Sequence, residues 1–131
     1  MNKTDLEDVL TKGCALLTNE ARHSGFATSP AFERRVRSVF ADLLPQHSGI
    51  VVDFAPPAQA FPDVALGEYG VEVKFSSGDT WRSVANSVQE TQRVDSVKFI
   101  YIVFCKMGGV PEVRWRSYED CVVHVRTSHV P

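Results

Sequence analysis

Seven consecutive apolar or aromatic residues, Phe99, Ile100, Tyr101, Ile102, Val103, Phe104 and Cys105, stand between Lys98 and Lys106. No other stretch narrows the possible folds as much. A membrane-spanning helix needs about 20 apolar residues, and a helix of a soluble core usually runs to at least about 10. The β-branched and aromatic composition suits a pleated surface. Neither set of alternating positions is polar within the run. Residues 98–106 are therefore predicted to form a strand buried on both faces. Such a strand belongs inside an α/β domain whose other elements cover the sheet.

Three amphipathic segments can provide that cover. Over residues 4–22, Leu6, Val9, Leu10, Cys14 and Leu17 recur at intervals of three or four. Thr4 and Glu7 form a capping-box pattern at its start, and Gly13 weakens its middle. A second helix is predicted to begin with Ser29 as N-cap and Pro30 in the first helical position. Phe32, Val36, Val39, Phe40, Leu43 and Leu44 line one stripe of it, and Pro45 closes it. A third helix follows a turn over residues 76–80, with Trp81, Val84, Ala85 and Val88 at helical spacing and an end near Arg93. Further strands are predicted over residues 49–55, 61–66, 69–75, 110–116 and 121–126. Gly108-Gly109 turns the chain before the fourth of these.

The 131 residues, 44% hydrophobic and 23% charged, suit one domain spanning residues 1–131 with one core. No run of eighteen apolar residues occurs, so no membrane partner is expected. The polar, acidic start is unlike a secretory signal. Cys14, Cys105 and Cys121 are widely spaced, which fits reduced, buried thiols in a cytoplasmic protein. A zinc site using one of them with His124 or His129 lacks any accompanying CxxC. The net charge of −2 argues against tight, autonomous binding of nucleic acid, and leaves only local basic patches for that purpose.

The chemistry-bearing residues lie in two short strands joined through Gly67 and Gly70. Asp63 falls in the first, residues 61–66. Glu72 and Lys74 fall in the second, residues 69–75. Strand alternation puts Glu72 and Lys74 on one face and Val71, Val73 and Phe75 on the other, towards the core. Pairing as a hairpin brings Asp63 beside Glu72. The bland alternative is a surface ion pair between solvated strand residues, worth less than about 1 kcal/mol.

Pro62-Asp63 followed by Glu72-Val73-Lys74 resembles the motif of the PD-(D/E)xK nuclease superfamily, which includes many restriction endonucleases. The order from Ser29 onwards, read from periodicity, is helix, three strands, helix, strand. That is the restriction-endonuclease-like αβββαβ core that the resemblance implies. It predicts a mixed sheet flanked by helices, with an N-terminal helix and extra C-terminal strands added. Hydrolysis of a DNA phosphodiester requires on the order of 20 kcal/mol of barrier lowering. A divalent cation lowers the pKa of a bound water and offsets phosphate charge. Mg²⁺ prefers hard oxygen ligands, and Mn²⁺ is expected to substitute. Asp63 and Glu72 are the candidate ligands; the resemblance adds the backbone carbonyl of Val73. Lys74 is placed to hold the attacking water and stabilise phosphoryl charge.

The resemblance also implies an extra acid from the preceding helix. Glu33 lies there at the edge of the apolar stripe, although an ordinary first-turn Glu facing the helix dipole explains it equally. The expected activity is that of a Mg²⁺-dependent endodeoxyribonuclease of restriction or anti-phage type leaving 5′-phosphate ends. It would act as a homodimer or within a larger assembly, because one such site cuts one strand. A junction resolvase or repair nickase of the same fold, and a non-catalytic interaction module, are the rival readings. Candidate phosphate contacts are Arg34, Arg35 and Arg37 on the second helix, Arg82 at the start of the third, and Arg114 and Arg116, which alternation puts on one strand face. Solvated side chains are the alternative for each.

Overall fold

The computed structural model describes residues 3–47, 64–66, 69–81 and 98–118, with the backbone alone for residues 45–47 and 64–66. Helix α1 spans Lys3–His23 and buries Leu6, Val9, Leu10, Gly13, Cys14, Leu17 and Ala21, the face that the periodicity predicts. Its C-terminus is closed by Gly25, whose φ of 74° is a left-handed conformation that a Cβ disfavours. The amides of Ser24 and Gly25 both donate to the Glu20 carbonyl, at 3.0 and 3.1 Å. The capping box differs from expectation. Thr4 already lies within the helix, and the Glu7 carboxylate accepts a hydrogen bond from the Tyr101 hydroxyl at 3.1 Å. Packing of α1 over the sheet supplies a donor that the local sequence does not show.

Helix α2 spans Ser29–His47. Its N-cap is Thr28, not Ser29. The Thr28 hydroxyl accepts from the Ala31 amide at 3.2 Å and the Thr28 carbonyl from the Phe32 amide at 3.1 Å. Pro30 is thereby moved one place inwards, still within the first turn, where its missing N–H has no helical partner to lose. Nor does Pro45 end the helix, which continues to His47. A proline in the last turn removes one backbone bond but does not forbid the next residues from keeping helical dihedrals.

The two helices pack closely at Gly13. A Cβ built there would stand 2.9 Å from Cε1 of Phe40, a ring that is itself buried, and 3.6 Å from Val39. The glycine that weakens α1 in isolation is what permits this approach. Gly13→Val is expected to destabilise the protein by about 2–3 kcal/mol, since overpacking outweighs the roughly 1 kcal/mol that glycine forfeits in a helix. Denaturant unfolding measures this; an unchanged midpoint would contradict the packing.

Among the described residues, four strands form one sheet in the order β1 (Val64–Leu66), β2 (Tyr69–Ser76), β3 (Phe99–Lys106) and β4 (Glu112–Ser117). β1 and β2 pair antiparallel, with Val64 opposite Val71 and Leu66 opposite Tyr69. β2 and β3 run parallel, with Glu72 opposite Ile102 and Lys74 opposite Phe104. β3 and β4 are antiparallel, with Ile102 opposite Arg116 and Phe104 opposite Arg114. The parallel pair demands a crossover connection between Ser76 and Phe99. The third helix predicted there lies outside the described residues, as do the predicted strands over 49–55 and 121–126, Cys121, His124 and His129. The sheet is thus mixed and the class α/β.

Both described helices belong to one face of the sheet. Leu6, Leu10, Phe32, Val36 and Phe40 join Val71, Tyr101, Val103, Cys105 and Val113 in one core, with Val73, Phe75 and Trp115 packed against it. Alternation then assigns Glu72, Lys74, Ile100, Ile102, Phe104, Lys106, Glu112, Arg114 and Arg116 to the outer face. Burial of β3 on both faces holds for Ile100, Tyr101, Val103, Cys105 and Lys106, while Ile102 and Phe104 are only half-buried. No described helix is long and apolar enough to cross a membrane.

Candidate active site on the outer face of the sheet

Glu72 is 2% exposed, although it lies on the face away from both described helices. Its Oε2 stands 3.2 Å from Nζ of Lys74, whose side chain is 18% exposed. The two are next-but-one neighbours on β2, so the pleat alone puts them side by side. Burial is what separates this pair from a solvated surface bridge. Removing two charges from water is expensive, and their attraction offsets that only when both are present.

Asp63 and Pro62 lie outside the described residues. Asp63 nevertheless immediately precedes Val64, whose partner is Val71, the neighbour of Glu72. Val73 follows between Glu72 and Lys74. Beyond Val71, β2 continues to Ser76 without a described strand on the β1 side. Glu33 is placed differently. Its helix begins against the end of β2, where the rings of Phe32 and Phe75 are 6.0 Å apart. Its carboxylate accepts from Nη2 of Arg37 at 2.8 Å. α2 covers the inner face and Glu72 the outer, so a shared ligand would be reached only around the β2 edge beyond Val71. Among the described residues no three His, Cys, Asp or Glu side chains cluster closely enough to hold a metal.

The candidate phosphate contacts divide by what already holds them. Nε of Arg35 donates to both carboxylate oxygens of Glu20, at 2.9 and 2.7 Å. Arg37 is taken by Glu33. Arg114 binds Glu112 through two hydrogen bonds of 2.7 and 3.1 Å and lies 4.4 Å over the Trp81 ring. That hydrogen bond, with the nearby charges of Arg114, Arg22 and Lys106, holds the Glu112 carboxyl below the usual range and Arg114 above its own. Arg34 and Arg116 are exposed and have no carboxylate partner among the described residues. Arg82 lies outside them. Arg114 and Arg116 do share one face, as alternation predicts, and it is the face of Glu72 and Lys74.

Sequence reading missed a joint at the end of β2. Lys106 is 8% exposed, yet its ammonium meets three acceptors: Asp79 Oδ1 at 2.7 Å, the Gly108 carbonyl at 2.9 Å and the Val110 carbonyl at 3.1 Å. It ties the turn after the motif strand to the β3–β4 hairpin. The signal was a lysine ending an apolar strand just before Gly108-Gly109. Trp81, expected to open a helix, instead lies in a bend with its ring 5.6 Å from that of Phe104. Cys14 and Cys105 are buried and free, and burial pushes both thiols up to about 12, so they stay protonated at neutral pH.

Compared with protein-family models, curated proteins and solved structures, the chain matches none.

Proposed function

We propose that the protein is a metal-dependent DNA endonuclease of the PD-(D/E)xK type, with its centre on the outer face of the sheet at Glu72 and Lys74. One observation carries this: a buried carboxylate meets a half-buried ammonium on β2, one residue beyond the pairing that ties Val71 to Val64, and Asp63 is bonded to Val64. If the antiparallel register continues by one step, Asp63 and Glu72 become direct cross-strand partners, with Cβ atoms roughly 5 Å apart. Two such carboxylates and the Val73 carbonyl form the hard oxygen donor set that Mg²⁺ or Mn²⁺ takes. Bound there, the ion supplies Lewis-acid charge and a more acidic water.

The chain's own groups do the rest. Lys74, already held by Glu72, points a hydrogen-bond donor at the position of the attacking water and the phosphoryl oxygens. Ile102 and Phe104, half-buried on the adjoining strand, form an apolar floor that limits water beside the pair. Glu33 enters as an accessory acid only by leaving Arg37. Of the candidate phosphate contacts, Arg34 and Arg116 have no carboxylate to give up among the described residues, whereas Arg35, Arg37 and Arg114 first release one. Cleavage of both strands calls for two sites, hence a homodimer or a larger assembly.

Plasmid cleavage tests this directly. Nicking or linearisation is expected with Mg²⁺ and Mn²⁺ and none with chelator. Asp63→Asn and Glu72→Gln are each expected to lose at least roughly 100-fold in rate. Cleavage that persists in chelator, or that survives Asp63→Asn, overturns the proposal. Comparing linear, mismatched and branched duplexes separates a restriction-type enzyme from a nickase or a resolvase, and binding without cleavage marks a non-catalytic module.

A further inference from the structure

A groove of about 510 Å³ runs between α1 and β4, and three guanidiniums, Arg22, Arg114 and Arg116, stand around it with one carboxylate, Glu112. We propose that this groove holds the phosphodiester backbone of the DNA as it runs towards Glu72 and Lys74; the inference rests on the nuclease reading above.

Four observations support it. First, three guanidiniums against one carboxylate leave an excess of positive charge at this place in a chain whose net charge is −2. Second, Arg22 is oriented by a neutral acceptor. Its Nε donates to the Pro111 carbonyl at 2.8 Å, and its charge acts on the nearby Glu112 without a direct ion pair to it. An arginine fixed in this way loses less side-chain freedom when it meets phosphate. Third, Arg114 and Arg116 repeat along β4 at roughly 7 Å, about two steps of the 3.4 Å axial rise per phosphate of one DNA strand. Regularly spaced cations suit a linear polyanion better than a single small ion. Fourth, Arg116, Ile102 and Glu72 form one cross-strand row. Two strand spacings, about 10 Å, separate the arginine from the candidate centre on the same face. A backbone held at Arg116, at the β4 rim of the groove, therefore lies two strands from Glu72 in the same cross-strand row.

The groove is poorly suited to a peptide added as a strand. At Val113 the outward backbone is already closed: the Thr18 hydroxyl accepts from the Val113 amide at 2.9 Å and donates to its carbonyl at 3.2 Å. Recognition there falls to side chains, which favours a polyanion over strand addition. Arg22 is absent from the motif-based candidates because its nearest signal, a basic residue in the last turn of a helix, is explained by the helix dipole alone.

The test is anisotropy of a fluorescent 30-base-pair duplex with the full chain, in chelator so that no turnover occurs, across a series of salt concentrations. In the double variant Arg22→Gln/Arg116→Gln, the slope of log affinity against log salt is expected to fall in magnitude by about 2, and affinity at 100 mM salt by at least roughly 10-fold. Arg22→Lys/Arg116→Lys retains the charge and is expected to restore most of the slope. An unchanged slope in the glutamine variant, with thermal melts confirming that it folds, overturns the proposal. So does no duplex binding by the native chain, or loss of oligoglutamate binding alone. Because no cleavage is measured, the two proposals fail separately. A reduced slope in a protein that never cuts DNA retains the groove and removes the nuclease; Lys74-dependent cutting with an unchanged slope does the reverse.

Discussion

Lys74→Met is expected to lower stability by about 3 kcal/mol and to abolish metal-dependent cleavage, whereas Glu72→Leu/Lys74→Met recovers most of the stability and none of the activity. The physical basis is the asymmetry of a buried ion pair. Taking away Lys74 deprives the buried Glu72 carboxylate of its ammonium, and breaking a buried pair in this way costs about 3–5 kcal/mol. The lower end applies because the Lys74 side chain keeps 18% exposure, so water partly reaches the site. Replacing both partners with apolar groups of similar size removes the desolvation penalty along with the attraction, and is often nearly neutral. Denaturant unfolding and plasmid cleavage on the native protein, these two variants and Glu72→Leu complete the cycle. A Lys74→Met protein within 1 kcal/mol of the native one would return the pair to the class of solvated surface bridges. A double variant that still cut DNA would remove both residues from catalysis.

Gly108→Ala is expected to cost at least about 3 kcal/mol, at or beyond the upper end of ordinary overpacking. A Cβ at Gly108 would overlap the carbonyl carbon of Gly78 and the amide nitrogen of Asp79. Both are backbone atoms, so no side-chain rotation relieves the clash. The same contact includes the hydrogen bond from the Gly108 amide to the Gly78 carbonyl at 3.0 Å, and beside it the Met107 amide donates to Ser76 at 2.9 Å. Opening it also disturbs Lys106, two of whose three acceptors are carbonyls of this hairpin. The third, Asp79, is 70% exposed and can be solvated if released. Hydrogen exchange at the Gly108 and Met107 amides, read with the unfolding midpoint, measures the effect. Native-like protection in the alanine variant would mean that the turn and the hairpin are not joined as described. Ser76 is two residues beyond Lys74, so loosening this joint is also expected to slow cleavage.

Much of the candidate site was legible in the chain because it depends on local rules. Two-residue alternation alone places Glu72 and Lys74 on one face and Val71, Val73 and Phe75 on the other, and it pairs Arg114 with Arg116 in the same way. Gly67, between two short β-rich runs, announces the hairpin, whereas Gly70 lies within β2 opposite Ala65. The apolar stripes of α1 and α2 are written at intervals of three and four. The failures occur where a residue's partner is remote or where two local options compete. Thr28 and Ser29 both carry a capping hydroxyl, and which one serves depends on how the loop from Gly25 enters α2. Pro45 penalises helix continuation without deciding it. Glu7 turns to Tyr101, a residue 94 positions away. Arg35 is claimed by Glu20, which is on another helix, and Arg37 by Glu33, within its own.

What the sequence by itself determined is the two described helices and the strands of the sheet, their inward faces, and the fact that a carboxylate and an ammonium must be neighbours on β2. Those properties follow from dihedral preferences and from the periods of helix and strand, which act over a few residues. Only the tertiary structure decided that β2 runs parallel to β3, that Glu72 is buried beside a half-buried Lys74, that Lys106 locks the turn after β2 to the next hairpin, and that Arg116 lies in the same row as Glu72. Each of these depends on which distant surfaces meet. A long charged side chain takes its partner from whatever the assembled layers bring within about 3 Å, and no local period encodes that.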